Sequence, residues 1–170
     1  GRIKVIYPWR ATTTALLRQS GDVNCVRWRP GSQGQVLAAA GTSEIIRIYD
    51  AKTGEVRTQL CGHNRPILCL AWSPDGSRAA SGARDNQIKI WDAATGRIRQ
   101  TLTGHRAGVW GIDWSPDGGR LATASTDTSV RIWDADSMEL IKTTDPLDEE
   151  VRNLYFDNSN ELWTASNDGN

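Results

Sequence analysis

Apolar residues in this chain come in short runs and strict alternations, and no segment carries them at helical spacing. The run at 67–72, ILCLAW, stops at Ser73-Pro74-Asp75-Gly76. Proline presets φ for the second position of a type I turn and glycine accepts the left-handed conformation that follows, so the run predicts a strand ending in a hairpin turn. A second strand near 77–82 is rich in small residues, which lets neighbouring backbones approach closely. A third, at 87–91, sets Ile88 and Ile90 on one side and Lys89 and Trp91 on the other. Ala94-Thr95-Gly96 then turns into a fourth strand at 97–102.

This four-strand pattern recurs. Trp72 and Trp114 stand 42 residues apart, as do Trp91 and Trp133, His63 and His105, Asp75 and Asp117, and Asp85 and Asp127. One spacing shared by several residue types is internal duplication, and a period of roughly 40–45 residues is that of propeller blades. The two clearest copies run from 62 to 103 and from 104 to 144. A looser copy at 18–61 carries Trp28 and Tyr49, and a last one at 145–170 has Phe156 in the place of Trp114.

The elements Gly62-His63, Asp85 and Trp91-Asp92, repeated as Gly104-His105, Asp127 and Trp133-Asp134, resemble WD40 (WD-repeat) β-propellers. The resemblance implies an all-β chain of about four blades, each a four-stranded antiparallel sheet, forming a single domain over 1–170. Blades packed face to face explain why both faces of these strands carry apolar or small residues. The last repeat stops where its third strand should begin, and the N-terminal GRIKVIY resembles that third strand. Residues 145–170 completed by 1–17 would then make the terminal blade. Three assemblies fit: an arc of a seven- or eight-bladed propeller, a four-repeat protein pairing as a homodimer into an eight-bladed ring, or a tight four-bladed ring. The chain opens without an initiating Met, which favours the arc.

His, Ser and Asp at fixed spacing could suggest hydrolytic chemistry, which needs a nucleophile, its base and an oxyanion site in reach of one another. Here the set occurs twice, as His63, Ser81, Asp85, Trp91 and as His105, Thr123, Asp127, Trp133. A structural network recurs with its structural unit, whereas a catalytic triad does not. The resemblance implies buried tetrads in which indole, hydroxyl, imidazole and carboxylate link in series. Each link satisfies a polar group whose burial alone would cost about 1–3 kcal/mol. The outer copies depart from the pattern: Gln19, Ala39 or Ala40, Ser43 and Tyr49 fill the four places in the first, while Leu147 replaces His in the last, where Thr164 and Asp168 remain. Those blades are expected to rest on apolar packing and to fray first.

Composition narrows the function. Twenty basic and twenty acidic side chains give zero formal charge, which argues against a phosphate-tracking nucleic-acid binder. No apolar run is long enough for a membrane helix. Cys25, Cys61 and Cys69 are odd in number and unpaired in spacing, which predicts small buried hydrophobes in a reducing compartment. The expected location is intracellular, the cytoplasm first and the nucleus as the alternative. Asp145, Asp148, Glu149 and Glu150 read as a solvated loop, and 157–161 as a shortened hairpin and not a calcium loop. No catalytic, cofactor-binding or metal-ligating set is expected.

The resemblance implies a non-catalytic scaffold that recognises a protein or peptide on the face bearing the loops before each first strand and between the second and third. The alternatives are a nucleic-acid-associated WD-repeat subunit or a sensor module of a larger signalling protein. On that face the exposed positions should include Pro66, Leu68, Gly108, Trp110, Asp22, Asn24, Glu150 and Arg152, with Arg84, Thr126 and Asn167 beside them. Trp110 stands where other copies hold Leu68, Asn24 and Arg152, so repeat packing does not demand an indole there. An exposed Trp near Arg65, Arg84, Arg106 and Arg152 has hot-spot composition. Trp9 and Trp163 also lack a repeat-imposed reason.

Overall fold

A computed structural model describes residues 1–6, 13–144, 146, 147 and 149–166, and every regular element among them is a strand. A hairpin of β1 (Arg2–Ile6) and β2 (Thr13–Arg18) comes first. Three four-stranded antiparallel blades follow. They are β3 (Val23–Trp28) to β6 (Val56–Cys61) by way of β4 (Val36–Gly41) and β5 (Ile45–Asp50), then β7 (Ile67–Trp72), β8 (Arg78–Ala83), β9 (Ile88–Asp92) and β10 (Ile98–Leu102). The third blade comprises β11 (Val109–Trp114), β12 (Arg120–Ser125), β13 (Val130–Asp134) and β14 (Leu140–Thr143). A second hairpin, β15 (Val151–Phe156) and β16 (Leu162–Ser166), ends the row.

The two hairpins form separate two-stranded sheets, β1 and β2 in one and β15 and β16 in the other, as the arc among the three expected assemblies has them. Val5 and Leu17 pack with Leu37, Ala39 and Tyr49 of the first full blade, just as Ile48 and Leu60 pack against the blade that follows them. At the other end Val151 and Leu154 pack on Ala122, Ala124 and Val130. Each hairpin thus sits where half a blade would sit, at opposite ends of an arc. Asn167 and Asp168, like Trp9, Asp145 and Asp148, lie outside the described residues.

The second strand of each full blade holds the arc together. Val36–Gly41 (VLAAAG), Arg78–Ala83 (RAASGA) and Arg120–Ser125 (RLATAS) are buried almost throughout and made largely of small residues. Small side chains let the next blade close down on the sheet at native packing density. At Gly82 the following blade comes close: a Cβ there would stand 2.6 Å from Val109 Cγ1, and 2.7 Å from Cys69 Sγ of its own blade. Cations add to the joints, with the Arg78 guanidinium 4.6 Å from the ring centre of Trp114 and that of Arg120 5.8 Å from Phe156. These contacts are cation–π in geometry.

Turn chemistry fixes each blade's hairpins. Asp75 Oδ1 accepts from Ser73 Oγ at 2.6 Å and from the Ser77 N–H at 3.0 Å, while Gly76 takes φ 68°. Asp117 does the same with Ser115 and Gly119. After the third strands, Asp92 Oδ1 accepts the N–H groups of Ala94 and Thr95, and Asp134 Oδ1 those of Asp136 and Ser137. Asp50 closes the same turn in the first blade. The acid of each Trp-Asp pair is therefore a turn clamp. Residues 157–161 form the β15–β16 turn, which is as long as its counterparts at 73–77 and 115–119 and not the shortened one expected, and Asp157 Oδ1 closes it on the N–H groups of Ser159 and Glu161.

The cysteines differ from expectation at one position. Cys69 is buried and Cys25 partly so, but Cys61, at the end of an outermost strand, is exposed. Burial pushes the Cys25 thiol up to about 11, and Cys69 well above the ordinary range.

Candidate functional site

Each innermost strand carries a register shift one residue after its start, between Val23 and Cys25, Ile67 and Cys69, Val109 and Gly111, and Val151 and Asn153. The residues set in these bulges are Asn24, Leu68, Trp110 and Arg152. A bulge bends the strand and re-aims the extra side chain, and here all four contribute to one cavity of about 460 Å³ along the concave side of the arc. Asn24 Nδ2 donates to the Ile67 carbonyl at 2.7 Å, tying the first bulge to the second.

Above this channel, Arg84, Gly108, Trp110, Thr126, Glu150 and Arg152 line a second cavity of about 320 Å³. The Arg152 guanidinium lies over the Trp110 ring 5.1 Å from its centre, and that of Arg84 lies 6.0 Å away. Arg152 also donates to Glu150 Oε2 at 2.9 Å. Arg84 and Arg152 are exposed, while Trp110 is half-buried and Leu68 is buried, so both of the last two depart from full exposure. Leu68 is covered because the third blade crosses it: even a Cβ on Gly108 would meet Leu68 Cδ1 at 3.2 Å.

Of the five residues singled out for recognition, the structure brings together Trp110, Arg84 and Arg152. Arg106 lines a different notch of about 190 Å³ with Asp127, Ser129, Arg131, Thr143, Thr144 and Pro146. Arg65 is exposed and lines neither of these cavities.

Beneath the rim the two polar series are closed. Trp91 Nε1 donates to Ser81 Oγ at 2.8 Å, His63 Nε2 lies 2.8 Å from the same Oγ, and His63 Nδ1 lies 2.8 Å from Asp85 Oδ2. In the next blade the corresponding distances are 3.0 Å from Trp133 to Thr123, 2.9 Å from Thr123 to His105 and 3.0 Å from His105 to Asp127. One proton arrangement satisfies every member: indole to hydroxyl, hydroxyl to Nε2, Nδ1–H to carboxylate. Each carboxylate then accepts a rim-loop N–H, from Asn64 at 3.3 Å and from Arg106 at 2.7 Å. Ser81 and Thr123 have no exposed surface, so neither hydroxyl can meet a substrate.

Burial pushes both imidazoles below the ordinary histidine value, against the pull of Asp85 and Asp127. Burial also works to raise Asp127, but hydrogen bonds from Ser129, the Arg106 N–H and His105 outweigh it and hold the carboxyl at about 2. The histidines are therefore neutral at pH 7 and act as hydrogen-bond relays.

A first-blade counterpart exists in reduced form. Tyr49 Oη donates toward the Arg18 carbonyl at 2.7 Å and lies 3.0 Å from Gln19 Oε1, with Gln19 itself buried. Strand register places Ala39 opposite Arg47, as Ser81 is opposite Lys89, so the hydroxyl place is empty there. A polar contact thus supplements the apolar packing expected of this blade. Sequence reading also passed over a cation repeated on the third strands: Arg47, Lys89 and Arg131. Lys89 is buried with Nζ 3.2 Å from Thr101 Oγ1, and Arg131 donates to the Gly104 carbonyl at 2.9 Å. Their shared spacing was the available signal.

A family model described as "WD domain, G-beta repeat" matches residues 54–92 and 96–134. The small ribosomal subunit protein RACK1 of Neurospora crassa is 33% identical over 63 residues, which span 37% of this chain and 20% of that protein. Protein HIRA of Oryza sativa subsp. japonica is 35% identical over 83 residues, 39% of this chain and 8% of that protein. Two solved structures, of U3-55K and of the RRP9 WD40 repeats, superpose with a TM-score of 0.77 at 26% identity. Each alignment covers 81% of this chain and 43% of the other. The chain spans a fifth or less of these curated relatives and under half of the solved chains. Its sequence thus carries WD40 repeats at two positions, its second and third blades are closed by Trp-Asp turns, and its fold is that of WD40-repeat structures.

Proposed function

We propose that this chain is a non-catalytic platform for a protein or peptide partner, which meets the rim of the arc at Trp110, Arg84 and Arg152. The observation that carries the reading is the Trp110 indole, set by a bulge at the mouth of the channel beneath two guanidiniums. Trp and Arg around a partly desolvated hollow are the composition of binding hot spots. Burial of the only repeated Ser/Thr–His–Asp series argues in the same direction, since chemistry would need those groups open. The RACK1 and RRP9 relatives are WD-repeat proteins, and scaffolding of protein partners is the role common to that family.

Trp110→Ala should remove captured partners from a pull-down while leaving the melting temperature within a few degrees. Partners retained at wild-type level by a folded Trp110→Ala chain would sink the proposal.

A second reading, a subunit working beside nucleic acid, draws on the name of the ribosomal relative and on the exposed Arg65, Arg84, Arg106 and Arg152. Retention on heparin at ~0.15 M salt would support it, and flow-through would remove it. A homodimer is a finer version of the assembly. The first hairpin stands in third- and fourth-strand places and the last in first- and second-strand places, so two copies could complete each other's blades. A monomeric mass for the chain by sedimentation would exclude that pairing.

A further inference from the structure

We infer that the cavity at Trp110 is built for a carboxylate of an acidic peptide segment, and that Glu150 occupies the carboxylate's place when no partner is bound. The inference rests on the platform reading above and names the chemistry of its ligand. Two guanidiniums, those of Arg84 and Arg152, converge on one indole within 6.0 Å of its centre. Both residues line the same cavity, and two positive charges there favour an anion as its occupant. The chain supplies one to Arg152 alone: Glu150 Oε2 accepts from Arg152 Nη2 at 2.9 Å and from its Nε at 3.3 Å. Arg84 has no ion-pair partner among the described residues.

The Glu150–Arg152 pair is a placeholder and not a lock. Both side chains are more than two-fifths exposed, with Glu150 just before β15 and Arg152 two residues on within it. An exposed pair of this kind is weak, so an incoming carboxylate displaces it at little cost. The indole adds a donor: Trp110 Nε1 lies close beside Gly108, 3.4 Å from where a Cβ there would stand, and Trp110 lines the cavity. It has no hydrogen-bond partner among the described residues. An indole N–H and two guanidiniums offer only donors, and the complementary ligand is an acceptor-only group.

The same features disfavour other ligands. A cationic or methylammonium group needs an open ring face, and here both cations already lie over it. A nucleic-acid backbone follows a line of cations, but Arg65 and Arg106 stand outside this cavity and Glu150 faces into it.

The test is a titration of the chain with a fluorescein-labelled decapeptide of alternating Gly and Glu, its Gln counterpart and a labelled decauridylate, read by anisotropy. Glu150→Gln should tighten the acidic peptide about two- to fivefold, by removing the internal competitor. Arg84→Gln should weaken it by about fivefold or more. The Gln peptide should bind neither form, and the Trp110 indole N–H resonance should shift on saturation. Acidic-peptide binding indifferent to both substitutions would overturn the inference, as would decauridylate binding through these residues in the peptide's stead. Failure here is separable from failure of the platform reading. A natural partner lost on Trp110→Ala but unchanged by Glu150→Gln and Arg84→Gln would overturn the carboxylate site alone.

Discussion

At the scale of single residues the tetrads behave as relays whose members cannot be removed singly. Asp85→Ala strands the His63 Nδ1–H inside the protein, and an unsatisfied buried donor costs about 1–3 kcal/mol. For a chain of this length that corresponds to a melting temperature lower by roughly 3–10 °C, readable by calorimetry. Acid should act through the same groups. Because the folded-state values of His63 and His105 lie below 6.5, only the unfolded chain gains protons as pH falls through 6.5. Stability is therefore complete above that pH and declines below it. A second loss follows between 3.8 and about 2, where the unfolded carboxyl protonates before Asp127 does. Denaturant midpoints measured from pH 8 to pH 3 should show the first decline, and the His63→Gln, His105→Gln double variant should flatten it. Backbone conformation offers a gain. Thr128 holds φ 67° where the preceding blade has Asn86 at φ 63°, and a β-branched residue is poorly suited to that region. Thr128→Asn should stabilise by about 0.5–1 kcal/mol.

At the scale of strands and blades, much of the architecture could be read from spacing. The 67–72 strand was delimited by its apolar run and by the turn that ends it. The second strand lies one residue later than expected, at Arg78–Ala83, because Ser77 is drawn into the turn by Asp75. The bulges were not legible. Alternation predicts which way a side chain points only while the register holds, and each innermost strand breaks register at its second residue. That is why Leu68 was misplaced and why Asn24, Leu68, Trp110 and Arg152 could be aligned by number without revealing that they share a channel. The interior of the second strands was legible in kind, as small residues, but not in its tolerance. With Val109 and Cys69 both inside contact distance of a Cβ at Gly82, Gly82→Ala should cost about 1–3 kcal/mol through displaced neighbours. Urea denaturation gives the value directly, and a neutral result would mean that the second and third blades can separate slightly without loss.

For the whole molecule, completeness of blades sets the gradient of local stability. The second and third blades carry full tetrads and neighbours on both sides, whereas β1–β2 and β15–β16 are two-stranded sheets at the ends of the arc. Amide exchange should be fastest in those hairpins and slowest in β7–β9, where nearly every residue is buried. Equal protection across the chain would contradict an open arc. Strand likeness identifies which position in a blade the N-terminal segment can fill, but not which sheet it joins, and so three assemblies fitted the sequence equally in kind.

The tetrads also give the molecule two colours of intrinsic light. Trp91 and Trp133 have their indole N–H groups fixed to a hydroxyl in dry surroundings, 1% and 4% exposed, while Trp28 and Trp163 are 44% and 52% exposed. Emission should therefore contain a blue share that acrylamide quenches poorly and a red share that it quenches readily. As acid opens the relays, the blue share should pass into the red, so a spectrometer alone can report when the central blades come apart.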